Sequence, residues 1–326
     1  MVNKNILIVS TSIDNETILP VSNYLFEKGF EVVNYQSDKV FSQDTSLDIH
    51  VDDNGTSVMY DNTVIDNDSI VAAWFRHPYI FGYNPIDKAK KLTIEDEVNS
   101  LQSFVWDSLS EDLWLNAPDN ISRAQNKTSQ LVVAQGIGFN VPETLITNQW
   151  SGIKKMAESR EVIMKMSKGL LYENDEVKGL YTTPLDINMI DKLSEATSPF
   201  PGIYQPNINK AREWRITVVG DNVFDASIYT TDDAKDDWRK HQYNDKKVEF
   251  KNEIFPGDEK DKCIKYLGKY GLKFGAFDFI ENKEGMITFL ECNPNGQFKW
   301  LEDKLNFPIS TAIGDELIKI AVSNNK

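Results

Sequence analysis

The chain has 326 residues, 40% hydrophobic and 26% charged, which is the balance of a globular protein and excludes a largely disordered or fibrous one. Its 35 Lys and Arg stand against 50 Asp and Glu, a formal charge of −15. That charge excludes a general binder of nucleic acid or anionic membrane, and any polyphosphate must be held by a few placed cations and a metal. Two cysteines, Cys263 and Cys292, are too few for a disulfide framework and lack zinc spacing. No signal-peptide pattern or membrane-length apolar run occurs, so the cytoplasm is the expected compartment.

In chain order, Ile6 to Val9 reads as a strand, Thr17 to Lys28 as a helix closed by Gly29, and Phe30 to Tyr35 as a second strand. This β-α-β opening lacks a glycine in the loop Thr11 to Thr17, which rejects a Rossmann dinucleotide site. Short polar strands are predicted at Leu47 to Val51 and Ser57 to Tyr60, then an apolar strand at Ile70 to Phe75 running into Arg76-His77-Pro78. A helix over Thr93 to Leu109 is expected to bury Leu101, Phe104, Val105 and Leu109. The pattern changes at Asn116-Ala117-Pro118, where a first boundary falls.

Beyond it come a helix containing Lys127 and ending near Gly136, a strand at Glu161 to Met166, and a polar loop from Ser167 to Lys178. Short alternating or β-branched runs at Ile203 to Ile208, Arg215 to Val219, Val223 to Tyr229, Ala276 to Ile280 and Ile287 to Cys292 read as one antiparallel sheet. Its hairpin turns are expected at 220–222 and 282–285.

The strongest chemical signal is the pair of strands Gly275 to Ile280 and Phe289 to Cys292, the latter leading into Asn293-Pro294-Asn295-Gly296. Residues two apart in a strand share a face, so Glu291 and Asn293 point one way and Cys292 the other. Asp278, thirteen residues upstream of Glu291, can be returned to them by the hairpin. Three oxygen donors suit Mg²⁺, whereas a solvated acidic hairpin would need no apolar neighbours on both strands. Lys127 and Lys165 fit a phosphate role, although either alone reads more readily as a surface lysine, and Lys165, in a strand interior, is the better of the two. Arg215 sits in an apolar strand and calls for a carboxylate or phosphate fork. The histidines His77 and His241 lack a paired nucleophile in the sequence.

These residues resemble the ATP-grasp superfamily of carboxylate-activating ligases over most of the chain after Asn116. Asn126-Lys127-Thr128 and Met164-Lys165-Met166 are similar to its two phosphate lysines. Tyr204 to Ile208 resembles the segment that holds adenine, and Glu213 and Arg215 fall where a ribose contact and a phosphate arginine are expected. The resemblance assigns Lys127, Lys165, Gln205, Asn207, Ile208, Glu213 and Arg215 to the nucleotide, with Lys165 and Arg215 also catalytic. It assigns Asp278, Glu291 and Asn293 to the metal, and Ser167 to Lys178 to a lid over the phosphates.

A closer resemblance is to the graspetide synthetases, microviridin-type ATP-grasp peptide maturases. It is carried by Asn293-Pro294-Asn295-Gly296-Gln297 with Trp300, by Trp74-Phe75-Arg76-His77-Pro78, and by Asp237-Trp238-Arg239. Pro206 departs from it, since many relatives carry an acidic residue beside the hinge glutamine. The implied fold is mixed α/β: an ATP-grasp fold with an N-terminal β-α-β pre-ATP-grasp domain (1–118), a central subdomain (119–203) and a C-terminal subdomain (204–326), nucleotide lying between the last two. The implied activity is an ATP-dependent peptide macrocyclase using ATP and two Mg²⁺ ions. It activates core Asp or Glu carboxylates of a ribosomal precursor peptide, leader plus core, and joins them to Ser or Thr hydroxyls or Lys amines. Arg239, Arg76, Asn295, Gln297 and Trp238 are assigned to the peptide, with Trp238 and Trp300 also readable as core packing. A homo-oligomer is implied. The alternatives are an ATP-grasp ligase that joins a free amino acid or amine to a carboxylate, and a noncatalytic nucleotide-binding scaffold.

Overall fold

The computed structural model describes residues 5–42, 44–53, 55–78, 88–165, 170–173, 176–179, 182–196, 201–232, 238–241 and 244–324. The chain opens with strand Asn5–Ser10, helix Asn15–Glu27 and strand Glu31–Gln36, and strand Ile70–Phe75 completes a parallel three-stranded sheet with Asn5–Ser10 in the centre. All six residues of Ile70–Phe75 are buried, as a strand covered on both faces requires. Gly29 closes the first helix at φ 84°, a left-handed conformation that suits glycine. Strands Leu47–Asp52, Gly55–Tyr60 and Thr63–Val64 form a separate antiparallel sheet.

The helix expected over Thr93 to Leu109 is Lys88–Asp107, and its buried face is only partly the expected one, with Val105 and Leu109 on it but not Leu101 or Phe104. Gln102, Val105, Trp106 and Leu109 are buried, while Leu101 is 66% and Phe104 37% exposed. The spacing allowed either stripe. The aromatic pocket of Tyr35 and Phe75 around Trp106 selects the observed one, with ring centroids 6.5 and 5.4 Å from the indole.

Two further sheets carry the rest. Strands Leu145–Thr147, Val162–Lys165, Thr183–Leu185 and Gly202–Pro206 form an antiparallel sheet, packed by helices Trp150–Ala157 and Ile187–Ala196, which the sequence reading did not identify. Gly202–Pro206, expected in the later sheet, therefore belongs to this one and leads straight into the next. The last sheet orders Val248–Asn252, Asn222–Thr230, Lys210–Val219, Phe274–Asn282 and Ile287–Asn293, antiparallel throughout. Its tight turns lie at Gly220 and at Asn282 to Met286, near the expected positions. Within the expected lid loop, Leu170–Glu173 and Glu176–Gly179 pair as an antiparallel hairpin, and the remainder lies outside the described residues.

Helix Lys127–Ile137 is closed by Gly138 and not by Gly136, and with Pro118–Ala124 it lies against the last sheet and helix Glu259–Tyr270. One continuous core joins Leu7, Val9, Phe75 and Trp106 to Trp214, Phe277, Phe279 and Phe289. A second joins Ile6, Ile8 and Ile18 to helix Ile309–Asn324 through Ile313 and Leu317. The first and last thirds of the chain thus share their interior, whereas the sheet that contains Val162–Lys165 has a small core of its own.

Candidate functional site

The site grows from three adjacent strands of the last sheet. Arg215 is in register with Asp278, and Asp278 with Glu291, so one cation and two carboxylates stand side by side across one face. The opposite face carries Trp214, Ile216, Phe277 and Cys292 into the core, where burial pushes the Cys292 thiol up. Nη1 of Arg215 donates to both oxygens of Asp278, at 2.9 and 3.0 Å. Its Nε is buried and has no acceptor among the described residues. Burial raises Asp278 above the ordinary carboxylate value despite that guanidinium.

Glu291 draws cations from two other directions. Lys127 pairs with it at 3.1 Å, each side chain 30% exposed. Lys127 is the first residue of its helix, capped by Asn126, a position where the helix dipole disfavours a cation unless an anion faces it. Lys165 ends its strand nearby, and its ammonium is pushed below the ordinary lysine value, first by burial and then by Lys127, with Glu291 opposing. Burial would raise Glu291, but Lys127 and Lys165 outweigh it and hold the carboxyl low. The charge of Arg239 acts on Asp278, Glu291 and Lys165 alike, which places this exposed residue at the same cluster. Asn293 lies two residues past Glu291 on the same strand, exposed, its Oδ1 accepting from the Asn295 amide at 2.9 Å.

The proposed nucleotide segment is the connection between the two sheets. Gln205 is buried and donates to Thr144 at 2.9 Å, Asn207 donates to the carboxylate of Glu161, and Ile208 is half-buried. Gln205 is also the register partner of Ile163, two residues before Lys165. Glu213 begins the site face of the next strand, paired with Lys210 at 2.5 Å, and its charge also reaches Lys165.

Three residues assigned to the peptide are engaged by the protein itself. Arg76 is completely buried: Nε donates to Asp14 at 2.7 Å, Nη1 to the Asn295 carbonyl at 2.7 Å and Nη2 to Oε1 of Gln297 at 2.6 Å. Trp238 packs in a small aromatic core with Phe250 and Trp300, its ring 5.5 and 5.3 Å from theirs, so it resolves to packing. Asn295 is 4% exposed and its backbone carbonyl accepts from Arg76 and His77. Gln297 is exposed beside Arg215, whose Nη2 reaches its carbonyl at 3.2 Å. Gly296 is required by close approach, since a Cβ there would lie 2.4 Å from the Ala276 methyl and 3.0 Å from Arg215. Asp237 lies outside the described residues.

Sequence reasoning passed over two buried amides that hold the strands of Asp278 and Glu291. Gln130 donates to the Cys292 carbonyl at 2.8 Å and accepts from its amide at 3.0 Å, tying the Lys127 helix to the Glu291 strand. Asn116 binds the backbone of Lys273, Phe274 and Pro294. The only signal was a polar residue inside an apolar pattern, which is faint in a single sequence.

The oxygens of Asp278, Glu291 and Asn293 are a hard donor set with no sulfur or imidazole, which fits Mg²⁺. Among the described residues no group of three His, Cys, Asp or Glu could hold a metal, so the protein offers part of a coordination sphere. Positive groups surround it, as a polyphosphate site in an acidic protein needs.

Residues 5–122 match the family described as the MvdD pre-ATP grasp domain. No curated protein matches the chain. The fold is similar to a RiPP-associated ATP-grasp ligase from Chryseobacterium gregarium, solved in complex with ADP and a leader and core peptide. That likeness covers 97% of each chain at 28% identity and a TM-score of 0.84. It is also similar to the macrocyclase MdnC of Microcystis aeruginosa MRC, solved bound with precursor peptide MdnA, at 26% identity, 97% and 99% coverage and a TM-score of 0.82. The ATP-grasp ligase PsnB, solved with a phosphomimetic variant of its minimal precursor, Mg and ADP, shares the fold at 20% identity, 98% and 100% coverage and a TM-score of 0.76.

Proposed function

We propose that the chain is an ATP-grasp ligase of the graspetide synthetase type, an ATP-dependent macrocyclase of a ribosomal precursor peptide, a reading supported by the family match over residues 5–122 and by the likeness to solved ligases. The observation that carries the proposal is the convergence of Arg215, Lys127 and Lys165 on Asp278 and Glu291. These cations pair with the two carboxylates. Asp278 and Glu291, with Asn293, would hold Mg²⁺, and Arg215, Lys127 and Lys165 would face the phosphates of ATP.

Bound Mg²⁺ supplies charge neutralisation at the phosphates and orients them. Lys127, Lys165 and Arg215 lie where they can neutralise phosphate charge that the acidic chain otherwise repels. Gln205, Asn207, Ile208 and Glu213, on the connection between sheets, hold the adenosine. Arg239 orients the core carboxylate, with Gln297 beside it. A core Asp or Glu oxygen attacks the γ-phosphorus and ADP leaves. A Ser or Thr hydroxyl, or a Lys amine, then attacks the acyl carbon, loses its proton and expels phosphate, giving an ester or an amide. The exclusion of water protects the acyl phosphate in between.

Co-expression with a candidate precursor peptide, followed by mass spectrometry, tests the reading. Losses of about 18 Da per bond, abolished by Glu291→Ala, are expected from condensation through an activated carboxylate. An unchanged peptide, with ATP consumed when free amino acids are added, would make the protein an intermolecular ligase. Size-exclusion chromatography with light scattering tests the expected homo-oligomer.

A further inference from the structure

The turn that follows the Glu291 strand is gripped by buried side chains from the first third of the chain. Asn116 is 2% exposed and touches backbone with every polar atom it has. Its Nδ2 donates to the carbonyls of Phe274 and Pro294 at 2.9 and 3.0 Å. Its Oδ1 accepts from the amides of Lys273 and Phe274 at 2.8 and 3.1 Å. One amide thereby joins the start of the Asp278 strand to the residue after Asn293.

Arg76 takes the next two carbonyls, Asn295 at 2.7 Å and Gly296 at 3.3 Å, while Asp14 neutralises it. His77 donates through Nε2 to the same Asn295 carbonyl at 2.8 Å, because a carbonyl can only accept. It does so from a left-handed backbone at φ 45°, which a histidine rarely adopts. At the far end of the turn the Gln297 carbonyl accepts from Arg215. The turn therefore connects a residue of the metal set, Asn293, to the guanidinium that faces Asp278, and its intervening carbonyls are held from outside its own sheet.

We infer that Arg76 and Asn116 are positioning residues of the catalytic centre: through the 294–297 turn they set where Asn293 and Arg215 stand, without contacting nucleotide or peptide. The inference rests on the proposed metal reading for its catalytic consequence, and on the hydrogen bonds alone for the turn. It gives the first unit a part in the chemistry, since outer groups that orient metal-binding residues govern metal affinity.

The test uses the full chain with Arg76→Met, Arg76→Lys and Asn116→Asp. Hydrogen exchange of the 293–300 segment is read without metal or nucleotide, and ADP binding is read across a Mg²⁺ titration well below the melting temperature. Arg76→Met and Asn116→Asp should speed exchange and raise the Mg²⁺ midpoint by about tenfold. Arg76→Lys, keeping the charge and one donor, should recover part of both. If neither of the first two folds, Asp14→Asn must shift exchange and midpoint in the same direction.

Unchanged exchange and an unchanged midpoint overturn the inference. A raised precursor KM with both unchanged would instead make Arg76 a direct peptide contact. If ADP binding by the unaltered protein ignores Mg²⁺, the metal reading fails, and the exchange measurement still decides whether the turn is held as inferred.

Discussion

The two sheets that build the site are supported in opposite ways. The Asp278 and Glu291 strands stand on Trp214, Phe277, Phe279 and Phe289, in a core continuous with Leu7, Phe75 and Trp106 of the first unit. The Lys165 strand stands on Ile153, Met156, Val162, Leu185, Ile190 and Tyr204, a small core of its own. The carboxylates are therefore set by the bulk of the molecule, while Lys165 stands on a separately packed core.

Removing charge from the rigid face should have the largest effect. Glu291→Ala is expected to lower turnover by on the order of a thousandfold while the precursor still binds, read by mass spectrometry and a binding titration. Equal loss of peptide binding would mean that the carboxylate also shapes the peptide cleft.

On the other sheet, Lys165→Met should cost about a hundredfold in turnover, and it should stabilise the empty protein at neutral pH. Burial lowers the Lys165 value below 10.5, so between the folded and unfolded values the unfolded chain binds more protons. The unmodified protein therefore gains stability as pH rises through that window, and the penalty is fully present below it. Urea titrations at neutral pH and near pH 10 should show the advantage of the methionine variant shrinking. An advantage that grows with pH would refute the assigned direction.

Cavities sharpen the contrast further. Phe279→Ala should destabilise the whole protein by about 3–5 kcal/mol. Ile153→Ala should cost about 2–5 kcal/mol within the Lys165 unit, leaving exchange protection of the Asp278 strand intact. Coincident loss of protection in both sheets would show one cooperative unit instead of two.

Smaller effects belong to the edges. Gly296→Ala inserts a methyl against Ala276 and Arg215 and should cost about 1–3 kcal/mol in thermal unfolding. Leu101→Ser, on the exposed face of its helix, should stay within about 0.5 kcal/mol.

Much of this was legible along the chain. The alternation around Glu291, Cys292 and Asn293 assigned each side chain to its face, because a strand has a period of two and only one face was apolar. The helix of Lys88–Asp107 was legible as a helix but not in its orientation. Leu101 and Phe104 are as apolar as Val105 and Trp106, and only the ring of Tyr35 and Phe75 decides between the stripes. Arg76 misled for a related reason. A guanidinium after an apolar strand advertises an anion, and the sequence does not say that Asp14 and three groups of a turn 219 to 221 residues away already use it.

By itself the sequence determined the local alternations, the oxygen donors and the lysines, since these follow from side-chain chemistry and short-range periodicity. Tertiary structure alone decided that Lys127 packs with the last sheet, that Gly202–Pro206 joins the earlier one, and that Asn116 and Gln130 lock the strands of Asp278 and Glu291. Those outcomes depend on which buried backbone groups remain to be satisfied once distant segments meet, and no local pattern encodes that.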